Sequence, residues 1–322
     1  MVFSRRTLIS GLAAAVALVA QVSEGAVSGF VVNKIDHTDL GTTLDLSLPS
    51  APFPDAASGY RDGTVLVFVP SHYRPDRAVD FIVHFHGHNT TARAAIVWHQ
   101  LREQLVDSKQ NAILVVPQGP VESPDSSIGK LERPGGLARM LGDVRMALLM
   151  RDTRRALGTR SPRAGTAIGT ICISAHSGGY HAAARAVTVG GIEVKEVYLF
   201  DALYNEADVF EKWLVAGGKT RRRKLVSYYG QDGTPAVLSE KLYRDLSKQG
   251  VTCAHESAEG TLSRSDLVRA QAVFVRSSLG HSAITHERNA LRDCLYASSL
   301  KRHVKSAWFE GKHGRRAIEP RR

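Results

Sequence analysis

Ile173-Ser174-Ala175-His176-Ser177-Gly178-Gly179 sits between an apolar run at 168–173 and an alanine-rich run at 180–187. A short apolar segment bounded by glycines reads as a buried strand, and the alanine-rich segment reads as a helix. The two glycines between them mark a sharp strand-to-helix turn with a serine at its apex. Ala175-His176-Ser177-Gly178-Gly179 departs from the G-x-S-x-G pattern only at its first position, where a second small residue stands. Such a turn pushes the serine hydroxyl out of the sheet and aims helix N-terminal N–H groups at negative charge developing beside it. Ser177 is therefore the candidate nucleophile and the Gly178 N–H a candidate oxyanion donor. The plainer reading is a glycine-rich turn whose serine caps a helix.

Outward from this turn, the chain divides into two rhythms. Residues 29–35, 42–48 and 64–69 are short β-rich runs separated by Gly, Pro and Asp, the pattern of antiparallel strands. After Pro70, apolar runs at 81–85, 112–116, 167–173, 194–200 and 225–229 alternate with helical stretches, among them 92–106, 137–157 and 180–188. Strands alternating with crossover helices predict an α/β fold: a mainly parallel sheet with helices on both faces and antiparallel N-terminal strands. Reactive loops in such a sheet gather at the carboxyl ends of the strands.

A serine hydroxyl needs a base, and the base needs an orienting carboxylate. Downstream of Ser177, His281 lies in Ser277-Ser278-Leu279-Gly280-His281-Ser282, read as a loop between two helical runs. It is preferred to His286, which falls in a polar helical-looking stretch. Two carboxylates compete to orient it. Asp201 closes the apolar run Val197-Tyr198-Leu199-Phe200, and Asp232 stands in Gly230-Gln231-Asp232-Gly233-Thr234. Asp232 has the alternative role of a turn residue. Asp201, at the end of a buried strand, is favoured because an unpaired charge there is costly.

His84-Phe85-His86-Gly87-His88-Asn89 admits two chemistries. In one, the turn at Gly87 and His88 supplies a second backbone N–H to an oxyanion. In the other, His84, His86 and His88 alternate onto one strand face and hold zinc. The second makes a metal-dependent hydrolase, but Asn89 does not continue the usual ligand pattern. No metal or other cofactor is expected in the first.

The formal charge of +11 comes largely from the ends of the chain. Residues 301–322 carry +6 and residues 1–24 carry +1, leaving +4 for 25–300. The body is thus only mildly basic, and without interleaved aromatics the charge does not indicate a nucleic-acid partner. Arg221-Arg222-Arg223-Lys224 reads as a solvated loop before a strand. Ser4-Arg5-Arg6-Thr7-Leu8-Ile9 precedes an uncharged apolar stretch at 8–20, too short to span a bilayer of about 30 Å comfortably. This resembles a twin-arginine export signal, implying the twin-arginine export machinery as a partner, a periplasmic or secreted location, and membrane association only through that signal. The expected organisation is an export segment at 1–25, one domain at 26–300 and a basic, flexible tail at 301–322. Cys172, Cys253 and Cys294 form no disulfide framework, although pairing of Cys253 with Cys294 stays open.

Taken together, the His-Gly turn, the Ala-His-Ser-Gly-Gly elbow, an Asp after the following strands and Gly280-His281 resemble the α/β-hydrolase superfamily over roughly residues 60–300. The resemblance implies an exported serine hydrolase acting on a small-molecule or polymer ester, less readily an amide, through an acyl-serine. In that superfamily the acid usually follows the second strand after the nucleophile, matching Asp232. In some lipases it follows the first, matching Asp201. Leu199-Phe200-Asp201-Ala202-Leu203-Tyr204 also resembles a motif of uncharacterised bacterial relatives. The alternatives are the metal-dependent hydrolase and a catalytically inactive hydrolase-fold binding protein of the cell envelope.

Overall fold

The computed structural model describes residues 29–218, 223–256 and 260–304. The expected export segment, most of the basic tail, Arg221 and Arg222 lie outside these residues. Ten strands among the described residues form one sheet: β1 (Val31–Thr38), β2 (Gly41–Ser47), β3 (Thr64–Pro70), β4 (Ala78–Phe85), β5 (Ala112–Pro117), β6 (Ala167–His176), β7 (Glu196–Phe200), β8 (Lys224–Tyr229), β9 (Cys253–Glu256) and β10 (Ala272–Arg276). Their order is β1-β2-β3-β5-β4-β6-β7-β8-β10-β9. The first four in that order pair antiparallel, and every pairing from β5 onward is parallel. This is the α/β-hydrolase-like architecture expected from the sequence.

Helices α1 (Ala92–Trp98), α2 (Leu101–Ser108), α3 (Gly136–Ala147), α4 (Arg151–Leu157), α5 (Tyr180–Val189), α6 (Ala207–Ala216), α7 (Gly233–Lys248), α8 (Arg264–Arg269) and α9 (Ala290–Tyr296) cover the sheet. Two separate cores result. Val79, Phe81, Val83 and Phe85 of β4 and Ile171, Ile173 and Ala175 of β6 pack with α3, α5, α6 and α7. Ile82 and Cys172, the intervening residues, pack on the opposite face with α1, α2, α8 and α9. A period of two therefore sorts each strand between the cores, and each buried Val, Ile or Phe contributes about 1.5–3 kcal/mol of burial. The same period places His84, Ser174 and His176 on the face of the second core.

Four expectations need correction. The helical stretch 92–106 is two helices, because Gln100 takes a left-handed conformation (φ 48°) between α1 and α2. Likewise 137–157 is split into α3 and α4 around Met150, whose extended ψ of 150° ends the helical path. Lys224 is no loop residue: it opens β8, is buried, and donates from Nζ to the carbonyls of Leu267, Val268 and Ala297. Finally, His281 follows a strand rather than a helix. Four of the five residues of β10, 272–275, are an apolar run without alternation, which periodicity alone does not distinguish from a helix segment. His286 belongs to a succession of turns, not to a helix. All three cysteines are free, Cys253 and Cys294 included.

Candidate active site

Ser177 stands immediately beyond β6, at φ 52°, and begins a single 3-10 turn (Ser177–Gly179) that leads into α5. A left-handed serine is uncommon, and the crowding around it explains the residues beside it. A Cβ on Gly178 would lie 2.1 Å from His88 Cδ2, and one on Gly87 would lie 2.7 Å from the Ser177 Cβ. Both positions therefore require glycine if the β4 and β6 turns are to touch.

His281 reaches this serine from the loop after β10. Its Nε2 lies 2.8 Å from Ser177 Oγ, and its Nδ1 lies 2.5 Å from Asp201 Oδ2. A carboxylate can only accept, so Nδ1 carries the proton and Nε2 presents a lone pair to the serine O–H. Asp201 follows β7 at φ 45°, with its side chain only 12% exposed. Its second oxygen accepts the N–H of Gly230 at 3.2 Å, and its own N–H donates to the Tyr228 carbonyl at 2.7 Å. The carboxylate beside His281 is thus Asp201. Asp232 is instead exposed at the N-cap position of α7, where its side chain makes no capping bond. The β8 loop meets the site through the Gly230 N–H, not through a carboxylate.

On the other side of Ser177, the β4 turn is fixed by His86. Gly119 N–H donates to His86 Nε2 at 2.8 Å, so Nδ1 holds the proton and donates to the Gly87 carbonyl at 2.7 Å. Gly87 C=O and His88 N–H belong to one peptide plane, so anchoring the carbonyl fixes the direction of that N–H. Among the described residues, neither the His88 N–H nor the Gly178 N–H makes a hydrogen bond. The His88 ring covers Gly178 and pairs through Nε2 with Ser126 Oγ at 2.6 Å.

The three upstream histidines do not converge. β4 ends at Phe85, so alternation carries only His84 into the second core, where its Nδ1 meets Ser174 Oγ at 2.9 Å. His86 and His88 lie on the turn with the separate partners given above. Among the described residues no group of three or more His, Cys, Asp or Glu side chains is arranged to hold a metal. The zinc alternative is corrected accordingly.

Beneath the Ser177–His281 pair lies a cluster of His176, His99 and His84, the last of which the sequence pointed to only as a zinc ligand. Ring centroids of His176 and His281 are 4.7 Å apart, those of His99 and His176 4.5 Å, and those of His84 and His99 5.7 Å. Burial, aided by neighbouring imidazoles, holds His84 well below the usual histidine range, His99 down at about 2 and His176 at about 4. Burial also lowers His86. His176 was legible as a buried strand residue one step from the serine, whereas His99, after α1, carried no local signal.

These depressed values have a consequence for stability. Each ring is neutral when folded and takes up a proton when unfolded, near pH 6.5, so its contribution is present above that pH and lost as pH falls toward its folded value. The loss is about 1.4 kcal/mol per histidine per pH unit in that window. Asp80 and Asp293, pushed up by burial, work in the opposite sense. His72 and His286 are lowered by burial as well, so the histidines outnumber the two raised carboxylates and leave a net loss. The urea midpoint is expected to fall steeply between pH 6.5 and 4.5, and a flat profile would contradict neutral burial of this cluster.

No protein-family model and no curated protein sequence matches the chain. Among solved structures, it is similar to the feruloyl esterase module from Clostridium thermocellum complexed with sinapinate, at 10% identity, covering 86% of this chain and 98% of that one, with a TM-score of 0.48. It is also similar to S-formylglutathione hydrolase from Staphylococcus aureus, at 11% identity, 83% and 100% coverage and a TM-score of 0.46. The S-formylglutathione hydrolase from Agrobacterium tumefaciens gives 11% identity, 84% and 99% coverage and a TM-score of 0.45.

Proposed function

We propose that the protein is an exported serine hydrolase that cleaves an ester, less readily an amide, through an acyl-serine intermediate. The observation that carries this reading is the continuous line of hydrogen bonds from Asp201 Oδ2 through His281 to Ser177 Oγ. In the acylation step, Ser177 Oγ bonds to the substrate carbonyl carbon as its proton passes to His281 Nε2. The carbonyl oxygen becomes an oxyanion, for which the unpaired N–H groups of His88 and Gly178 are suited. Collapse breaks the bond to the alcohol oxygen, which leaves with the proton from Nε2. Water then attacks the acyl carbon, giving its proton to Nε2, and the acid departs as Ser177 recovers that proton. Whenever His281 holds the transferred proton, its positive charge lies beside the Asp201 carboxylate.

A labelled fluorophosphonate is expected to modify the protein once per chain at Ser177 and to leave Ser177→Ala unmodified. Absence of labelling, or equal labelling of the two, would overturn the reading. The 2.8 Å separation of Ser177 and His281 favours catalysis over an inactive binding scaffold, which calls for the pair to be apart.

Export rests on residues 4–20 and would put the substrate outside the cytoplasm, with a basic segment following the hydrolase domain in the chain. No described helix is long and apolar enough to cross a membrane. Replacing Arg5 and Arg6 by Lys is expected to retain the protein in the cytoplasm of a bacterial host with a twin-arginine pathway, as fractionation will read. Unchanged export would mean that the paired arginines are not the signal.

A further inference from the structure

His281 stands at the tip of a loop without helix or strand between β10 and α9. Among the described residues, the other hydrogen bonds to the main chain of 280–282 are local ones, from Ala283 and Ile284 to the Gly280 carbonyl. The tie to the body of the protein is His176, whose Nε2 lies 2.9 Å from the His281 carbonyl. A carbonyl only accepts, so His176 is held in the Nε2–H form. We propose that His176 is the positioning residue of the His281 base, gripping its main chain from below while Asp201 orients its ring. This rests on the serine-hydrolase reading.

The surroundings of His176 serve that role. It is 7% exposed, and His99 packs against its ring from the α1–α2 junction. The groups facing it are His99, His281, His286 and Asp201. His84 stands behind His99. A neutral ring in this enclosure keeps its donor without placing a second cation beside His281 when the latter takes the serine proton. Gln104, fully buried, fastens the same assembly: its Nε2 donates to the His99 carbonyl at 2.7 Å and to the Thr285 carbonyl of the His281 loop at 3.1 Å. The loop is therefore fixed to the second core at two points.

The first test needs no variant. In the 15N-histidine-labelled protein, long-range 1H–15N spectra are expected to show His176 as the Nε2–H tautomer, uncharged down to pH 5. An Nδ1–H tautomer, or a ring titrating like an exposed histidine, overturns the proposal. The second test compares His176→Leu with His176→Gln, whose amide nitrogen can donate to the same carbonyl. Leu is expected to lower kcat by about 10- to 100-fold at nearly constant KM, because a displaced base costs rate more than binding. Fluorophosphonate labelling should slow in proportion, and Gln should restore most of both. A folded Leu variant with unchanged kcat, or a Gln variant as slow as Leu, overturns it. If Leu does not fold, the tautomer and the Gln variant decide. A wild type that is never labelled defeats the serine-hydrolase reading instead, while the tautomer still decides the hydrogen bond.

Discussion

Ser177→Ala is expected to lower kcat on an activated ester by about 10⁶-fold, since removing the nucleophile of a triad costs about as much as removing all three members. The variant keeps the oxyanion donors and the binding surface, so a residual rate about 10³–10⁴-fold above water should remain. KM should change little, because the lost oxygen takes part in bond formation and not in holding the substrate. Relief of the left-handed strain is not expected, since the alanine of this variant inherits the φ of 52° imposed by the Gly87 and Gly178 contacts. Single-turnover measurements read the chemistry directly, and the burst of alcohol release expected from an acyl-enzyme should vanish with Ser177. A variant that retains more than about 1% of kcat would mean that another group attacks, since no triad serine is dispensable at that level.

Much of this site was legible in the sequence, for local reasons. The elbow announces itself through composition: a buried strand, two glycines and a helix of small residues leave few conformations for residues 175–180. The parallel sheet was legible because its central strands are apolar on both sides, and the antiparallel beginning because turn residues interrupt it. What could not be read was set by partners distant in sequence. β10 carries too few residues for its period to speak, and its strand state comes from pairing with β8 and β9. The choice between Asp201 and Asp232 depended on which loop rises toward His281. The histidine cluster came together because β4, β6 and the α1–α2 junction share one face. Gln104, which bonds to the Thr285 carbonyl 181 positions away, lies beyond any window of local pattern.

Asp201→Asn is expected to lower kcat by about 10⁴-fold while leaving the fold and KM nearly intact. The reason lies in the two oxygens of Asp201, each of which accepts one N–H: Oδ1 from Gly230 and Oδ2 from His281 Nδ1. An asparagine offers one acceptor and one NH₂ group. If its oxygen faces Gly230, the NH₂ faces Nδ1 and makes that nitrogen the acceptor. The proton then moves to Nε2, and His281 can no longer accept from Ser177. If the oxygen faces His281, the NH₂ is driven against the Gly230 N–H, two donors with no acceptor between them in a mostly buried position. Either arrangement costs, and the first should prevail, because a tautomer change is cheaper than an unsatisfied buried donor. The variant should therefore show Nε2–H on His281 in 15N spectra, where the wild type shows Nδ1–H. Asp232→Asn serves as the control, expected within about twofold of wild type because its side chain is exposed at the start of α7. A tenfold or smaller loss in Asp201→Asn together with a large loss in Asp232→Asn would move the carboxylate to the β8 loop. The opposite result leaves His281 oriented by the strand next to the nucleophile.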